Sequence, residues 1–373
     1  MKIALFLGAG ASTPFGKPVT AEFKDKLLEK YHSLSTPYFF MEFLRCDKFQ
    51  DIEQVLQSIK DIKKFLDSHG GQFLASSYTP LFINYGGNHH QFNQEFFNKE
   101  IDKIEKIIHS EIFNYYRWEP KFNEELLKIY NSLFSIFDSN VNAVNVFTTN
   151  YDSSIEEYCG LTQNHKCIDG FQFNIRKRRL LWAKGNYVPP DNDMGIDVYL
   201  YKLHGSLNWK RHTAHEIERT TEESQPTDSN YLHNVLIYPT LSPKEEENDE
   251  PYKTIIDKFE NYMKSSDVCI VIGYSFRDHL NYVFEEFVER GKTLIIVSPT
   301  AVADFCKNVL KKEELTEKER VAWSNPDLGF FEKTTNNGKT AKIYRIQKKL
   351  TANTVREIVH DIKKILDPDK HPF

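Results

Sequence analysis

Short apolar runs and longer stretches of helical periodicity alternate along this chain, a pattern that predicts an α/β fold. Ile3, Leu5 and Leu7 lie among other apolar residues without polar alternation. Such a run forms a strand buried on both faces, as in a parallel sheet. Comparable runs occur at Ala143–Thr148, Val198–Leu203, Asp267–Ile272 and Thr293–Val297, with further strands expected near Val235–Tyr238 and Lys342–Ile346. Helical spacing marks Thr20 to about Tyr31, then Ile52, Val55, Leu56 and Ile59, then Phe97, Ile101, Ile104, Ile108 and Ile112, then Leu126, Leu127, Tyr130, Leu133 and Phe134. Further helices are expected before Asp267, from Asn281 and over Thr354–Leu366. Residues 37–137 hold successive amphipathic helices with no strand between them, and are expected to be a helical insertion. Residues 1–36 and 138–310 then form the sheet-bearing core, and 311–373 a C-terminal extension closing on it. Residues 69–91, with HGG, TP and YGGNHH, read as a loop, 160–196 as irregular, 212–231 as a polar loop and 244–250 as a solvated acidic link.

Chemistry is concentrated at the strand ends. Five expected strands finish in small or polar clusters: Gly8–Ser12, Thr148–Asp152, His204–Ser206, Gly273–Phe276 and Ser298–Thr300. In a doubly wound sheet, ligands bind outside the carboxyl ends of the strands, so these clusters would meet at one crevice. Glycine in Gly8-Ala9-Gly10-Ala11-Ser12 allows a tight turn and lets backbone N–H groups approach a pyrophosphate with no Cβ in the way. A dinucleotide is therefore the first ligand to consider. Thr13 stands where the third glycine of G-x-G-x-x-G would be, and a turn that merely needs glycine is the competing reading.

Composition narrows the class. A length of 373 residues suits one large α/β domain with an insertion, or two domains, and a formal net charge of -5 disfavours attraction to nucleic acid or an anionic membrane. No run approaches the ~18 apolar residues of a membrane span and no signal peptide is evident, so a cytoplasmic protein is expected. Five scattered cysteines without a C-x-x-C pair fit a reducing compartment and offer no zinc site. His89-His90 and His212/His215 lack acids or cysteines at metal spacing, so no metal is expected. Arg176–Arg179 reads as a solvated loop or a subunit contact, Asp51-Ile52-Glu53 as a helix start, and Tyr151 as a packing ring. The aromatic- and isoleucine-rich insertion offers more apolar face than a small sheet can cover, which predicts a homo-oligomer.

Taken in order, the strand-end clusters resemble the sirtuin superfamily, and most closely the sirtuin-like NAD hydrolases of bacterial anti-phage defence. Gly8, Ala9, Gly10 and Ser12 are similar to the family's G-A-G-x-S phosphate loop. Thr149, Asn150 and Asp152 fall in the segment around the nicotinamide ribose, and Leu203-His204-Gly205 in that of the catalytic histidine. Gly273, Tyr274 and Ser275 fall in the turn lining the dinucleotide, and Ser298 where a strand end reaches the adenosine. The resemblance implies a Rossmann-like parallel sheet with a helical insertion and NAD+ as substrate. It also implies catalytic roles for Asn150 (ribose or water), Asp152 (carboxamide or ribose) and His204 (proton acceptor). Two departures weigh against protein deacylation. Only Cys269 lies between Gly205 and Ile272, so the paired-cysteine zinc-ribbon module is absent. Gly16-Lys17-Pro18-Val19-Thr20 lacks the family's Phe-Arg pair. The expected activity is NAD+ glycohydrolysis to ADP-ribose and nicotinamide, serving NAD+ depletion in defence. An activating partner such as a HerA-like ATPase, or self-assembly, follows by analogy. An NAD-dependent deacylase and a non-catalytic NAD or ADP-ribose sensor are the alternatives; Asn150 and His204 favour catalysis over sensing.

Overall fold

The computed structural model describes residues 1–32, 45, 51–67, 94–137, 142–162, 164–188, 196–213, 216–221, 233–237, 249–300, 302–312, 316–317, 321, 323, 329–335, 337–367 and 369. The expected loop at 69–91, residues 214–215 and 222–231 of the loop expected at 212–231, and residues 244–248 of the expected acidic link, with His89, His90 and His215, lie outside the described residues. The chain forms two compact units. One comprises residues 1–18, 116–237 and 244–373, the other residues 19–115 and 238–243.

The first unit is built on two sheets. Its strands, in chain order, are β1 (Ile3–Leu7), β2 (Ala143–Thr148), β3 (His165–Ile168), β4 (Phe171–Asn174), β5 (Arg179–Trp182), β6 (Ile196–Lys202), β7 (Gly205–Thr213), β8 (Glu216–Arg219), β9 (His233–Leu236), β10 (Val268–Ile272), β11 (Thr293–Val297), β12 (Gly329–Thr334) and β13 (Thr340–Ile346). Eight make the main sheet in the order β12-β13-β11-β10-β1-β2-β6-β3. All its pairs are parallel except β12 with β13. The unalternating apolar runs have a simple cause: each central strand is covered on both faces. Ala4 and Phe6 of β1, Cys269 and Val271 of β10, and Leu294 and Ile296 of β11 join one core. Leu5, Leu7, Ile270, Ile272, Ile295 and Val297 join the other. The helices Tyr252–Ser265, Asn281–Glu289 and Val302–Asn308 cover the first face through Ile255, Phe259, Phe284, Phe287 and Phe305. The helices Asn123–Phe134, Ser154–Leu161 and Val355–Leu366 cover the second through Leu126, Tyr130, Leu133, Tyr158, Ile358 and Ile362.

Chain order reverses at β1, with β2 on one side and β10 on the other. That reversal is the switch point at which a doubly wound sheet opens a crevice. The division between units also differs from the expected 37–137 insertion. The helix Asn123–Phe134 has the same amphipathic period as its predecessors, but its apolar stripe covers the main sheet. Periodicity reports that a stripe is buried, not which surface buries it.

The second sheet, β4-β5-β8-β7-β9, is antiparallel and occupies much of the stretch expected to be irregular or loop. All its strands but β7 have four residues each, too few for alternation to stand out. Arg176–Arg179 belongs to the β4–β5 hairpin, where Arg178 turns the chain with φ 55° and Arg179 lies 3.5 Å from Glu218. It is a charge-paired turn.

The second unit contains the helix Thr20–His32, the helix Ile52–Asp67 and most of Gln94–Tyr116. Ile52, Val55 and Ile59, and Ile101, Ile104, Ile108 and Ile112, are buried. Asp51 opens its helix as expected, its Oδ1 accepting the Gln54 N–H at 3.1 Å. Lys30 and Tyr31 converge on the buried Glu111 carboxylate at 2.5 and 2.8 Å.

Candidate active site

The carboxyl ends of β1, β2, β6, β10 and β11 carry the expected clusters. After β1 the chain enters a seven-residue 3-10 helix, Ala9–Phe15. After β10 it turns through Gly273, whose φ of +66° is left-handed. The two turns lock together, because Gly8 N–H donates to Ile272 O at 2.9 Å and Gly10 N–H to Gly273 O at 2.8 Å. A Cβ on Gly10 would lie 2.8 Å from Gly273 Cα, and one on Gly273 would lie 2.4 Å from Ala11 N. These glycines therefore serve contact between two backbones. The N–H groups of Gly8 and Gly10 point into the protein, a departure from the cradle that the sequence suggested.

Ser12 and Asn150 carry the polar chemistry of this end. Asn150 Nδ2 donates to Gly8 O and to Ser12 Oγ, both at 2.9 Å. Ser12 Oγ in turn donates to Asp152 Oδ2 at 2.6 Å, and Asp152 Oδ1 accepts the Ser154 N–H at 3.0 Å. Asp152 is buried and both of its oxygens hold protein groups, so it aligns Ser12 and opens the helix Ser154–Leu161. Asn150 is half-buried with both amide hydrogens engaged, and its Oδ1 is the face available to a ligand. Thr148 Oγ1 closes the β1–β2 end by donating to Leu7 O at 2.8 Å and accepting the Asn150 N–H at 3.0 Å.

His204 follows β6 and precedes Gly205. The glycine has φ +76°, and a Cβ there would sit 2.1 Å from Val235 O, so only glycine turns the chain from one sheet into the other. Lys202 ties this turn to the Asn150–Asp152 turn. Its ammonium is 1% exposed and donates to Asp152 O (2.5 Å), Ser206 Oγ (2.7 Å), Glu156 Oε1 (3.1 Å) and Tyr151 O (3.3 Å). Burial pushes the Glu156 carboxyl up, and Lys202 pulls it back. Tyr151 packs as expected, its hydroxyl donating to Ile237 O at 2.8 Å.

The loop after β10 supplies two side chains that sequence reasoning missed. Asp278 Oδ2 lies 3.5 Å from His204 Nε2, while the rings of His204 and His279 stack at 5.8 Å and 20°. Phe276 holds this loop in place. It is buried with φ 56°, and its carbonyl accepts from both Asn281 Nδ2 (2.8 Å) and Asn308 Nδ2 (2.7 Å). The signal was the polar run Arg277-Asp278-His279 directly after a strand-end glycine cluster.

The remaining expected residues divide. Ser275 is exposed at the turn, and Ser298 is buried at the end of β11 with its Oγ accepting the Thr300 N–H at 3.3 Å. Tyr274 is a core ring against Phe6 (4.7 Å) and Phe276 (4.9 Å). Ala9 and Thr149 lie half-buried at their strand ends. No helix among the described residues is long and apolar enough to cross a membrane.

Comparison with known proteins gives one family match: residues 144–323 match the SIR2-like domain. Solved structures similar to the chain include a Sir2 homologue in complex with NAD, at 14% identity over 98% of this chain and 90% of that one, TM-score 0.40. They also include a Sir2 homologue variant with 2′-O-acetyl ADP-ribose, at 13% identity over 98% and 93%, TM-score 0.39. A Sir2 homologue variant with ADP-ribose matches at 14% identity over 98% and 93%, TM-score 0.39. No curated protein matches the chain. The chain is thus sirtuin-like over residues 144–323, the segment that carries Asn150, Asp152, His204, Gly273 and Asp278.

Proposed function

We propose that the chain binds NAD+ at the carboxyl end of the main sheet and hydrolyses its nicotinamide–ribose bond. The observation that carries this reading is the linked set Gly8–Ser12–Asn150–Asp152, joined through Lys202 to the turn bearing His204. The same set explains how each group would act. The bond from C1′ to the pyridinium nitrogen breaks with its electron pair leaving on neutral nicotinamide. Positive charge develops on the ribose, and a water oxygen adds to C1′. Asn150 Oδ1 accepts from the ribose hydroxyl or the water and so fixes their positions. His204 accepts the proton that the water gives up and releases it to solvent, a role that suits an imidazole near neutral pH. Asp152 contributes by holding Ser12 and Asn150 in register. The products are ADP-ribose, nicotinamide and one proton, so the step balances.

The resemblance to defence NAD hydrolases extends the proposal to an NAD+-depleting effector. Homo-oligomerisation or a HerA-like ATPase would be its trigger. The decisive assay incubates the full chain, alone and with such a partner, with NAD+ and measures nicotinamide and ADP-ribose. His204→Ala should still bind NAD+ within a few-fold of wild type yet lose about 10²–10⁴ in rate. Near-wild-type turnover by that variant would remove His204 from the mechanism. Release of nicotinamide only with an acetyl-lysine peptide would establish a deacylase, and binding without turnover a sensor.

A further inference from the structure

We propose that His204, Asp278 and His279 form a binding site for a divalent transition cation of the zinc class, and that an ion there takes His204 out of proton transfer. One ligand atom from each residue lies within 4.8 Å of the other two. His204 Nε2 and Asp278 Oδ2 are 3.5 Å apart. With zinc bonds of about 2.0–2.2 Å to nitrogen and oxygen, the edge of a tetrahedron is roughly 3.4 Å, so this pair already spans one edge. The His279 ligand atom, within 4.8 Å of both, supplies the third corner. Both imidazoles face a single carboxylate, because Asp278 Oδ1 also lies 3.7 Å from His279 Nδ1. Two neutral imidazoles and one carboxylate carry a net negative charge on a borderline-soft donor set, which suits zinc better than magnesium or calcium.

The surroundings fit a specific ion site. The three side chains are only 10–14% exposed, enough for entry and too little for full hydration. Asp278 is held in place by its own turn, its Oδ1 accepting the Leu280 N–H at 2.6 Å, while the left-handed Phe276 fixes the loop that aims it. Three protein ligands leave a fourth position open, which separates this arrangement from a closed structural zinc site. An ion bound through Nε2 of His204 occupies the lone pair that would accept a proton. Binding of the ion stands apart from the NAD+ reading; the inhibition rests on it.

Titration of the metal-free full chain with ZnCl2 by calorimetry, in a buffer without phosphate or chelator, should show one ion per chain. CoCl2 should give the visible bands of a tetrahedral nitrogen–oxygen site. His279→Gln keeps the size of the ring and Asp278→Asn keeps the acceptor for Leu280 N–H, so both should fold as wild type by circular dichroism. Each should weaken zinc binding by at least about tenfold, the scale of losing even a supporting group of a metal site, while His279→Cys, which restores a zinc ligand, should recover it. Absence of stoichiometric zinc in the wild type, or unchanged affinity in both variants, would overturn the site. For the inhibition, micromolar ZnCl2 should stop NAD+ hydrolysis by the wild type and a chelator should restore it. The hydrolysis that His279→Gln retains should be at least about tenfold less sensitive to zinc than that of the wild type, and a chelator should leave it unchanged. Equal inhibition of that variant would overturn the inhibitory role and leave NAD+ hydrolysis standing.

Discussion

Lys202→Met should show whether the buried ammonium is the clasp between the two turns. Lys202 is 1% exposed and its partner Glu156 has a side chain 12% exposed, so the pair sits out of water. Methionine fills most of the space but leaves two carbonyls, one hydroxyl and a buried carboxylate without their common donor. Breaking one side of a buried ion pair costs about 3–5 kcal/mol, because the surviving charge is left uncompensated. With a urea slope of ~3 kcal/mol/M, the unfolding midpoint should fall by about 1 M or more at constant slope. The double variant Lys202→Met/Glu156→Gln removes the orphaned charge and should regain about half of the loss, a coupling that a double-mutant cycle reads directly. The sign of the pH dependence follows from Glu156, whose carboxyl burial already pushes upward. Without Lys202 it rises further, and a raised carboxyl adds stability at low pH that is lost as pH climbs through the folded pKa. The defect of Lys202→Met should therefore be smaller in acid than at neutral and alkaline pH. Hydrolysis should stay impaired in the double variant, since the Asp152 and Ser206 contacts are still missing. A loss under about 1 kcal/mol, or strict additivity in the cycle, would refute the clasp.

Gly10→Val should unfold or distort the site rather than simply exclude NAD+, since its Cβ meets the Gly273 backbone at 2.8 Å; a native circular dichroism spectrum and melting point would contradict the backbone contact. Gly273→Ala should cost at least about 2 kcal/mol, from its left-handed φ and the clash with Ala11 N, measured by urea unfolding. Ser12→Ala breaks the Asn150–Ser12–Asp152 relay and should lower kcat more than NAD+ affinity, as steady-state kinetics and calorimetry would show. In the second unit, burial pushes His109 down to about 4, so the unfolded chain takes up a proton first as pH falls. Stability should then drop between pH 6.5 and 4 by up to about 3 kcal/mol, and His109→Gln should flatten that limb of a denaturation-versus-pH curve.

The sequence alone determined the elements whose signal is long or apolar. β1, β10 and β11 appear where near-continuous apolar runs predict them, and β2 where a run broken only by Asn145 does, because strands covered on both faces carry few polar positions. The strand-end placement of Gly8–Ser12, Asn150–Asp152, His204 and Gly273 was legible for the same reason, since each cluster interrupts such a run. Tertiary structure decided the rest. Of the second sheet only the strand expected near Val235–Tyr238, matched by β9, was legible; β4, β5 and β8 have four residues each, too few for alternation to show, and the helix Asn123–Phe134 packed on the main sheet because a stripe does not name its partner. Lys202 reads in sequence as the polar end of a strand, and only folding brings Asp152, Glu156 and Ser206 around its ammonium. His204 and Asp278 are 74 positions apart, and their contact depends on two strand ends separated in the sheet by β1 and β2. Local pattern records what each segment buries; which polar groups meet is set by the order of the strands.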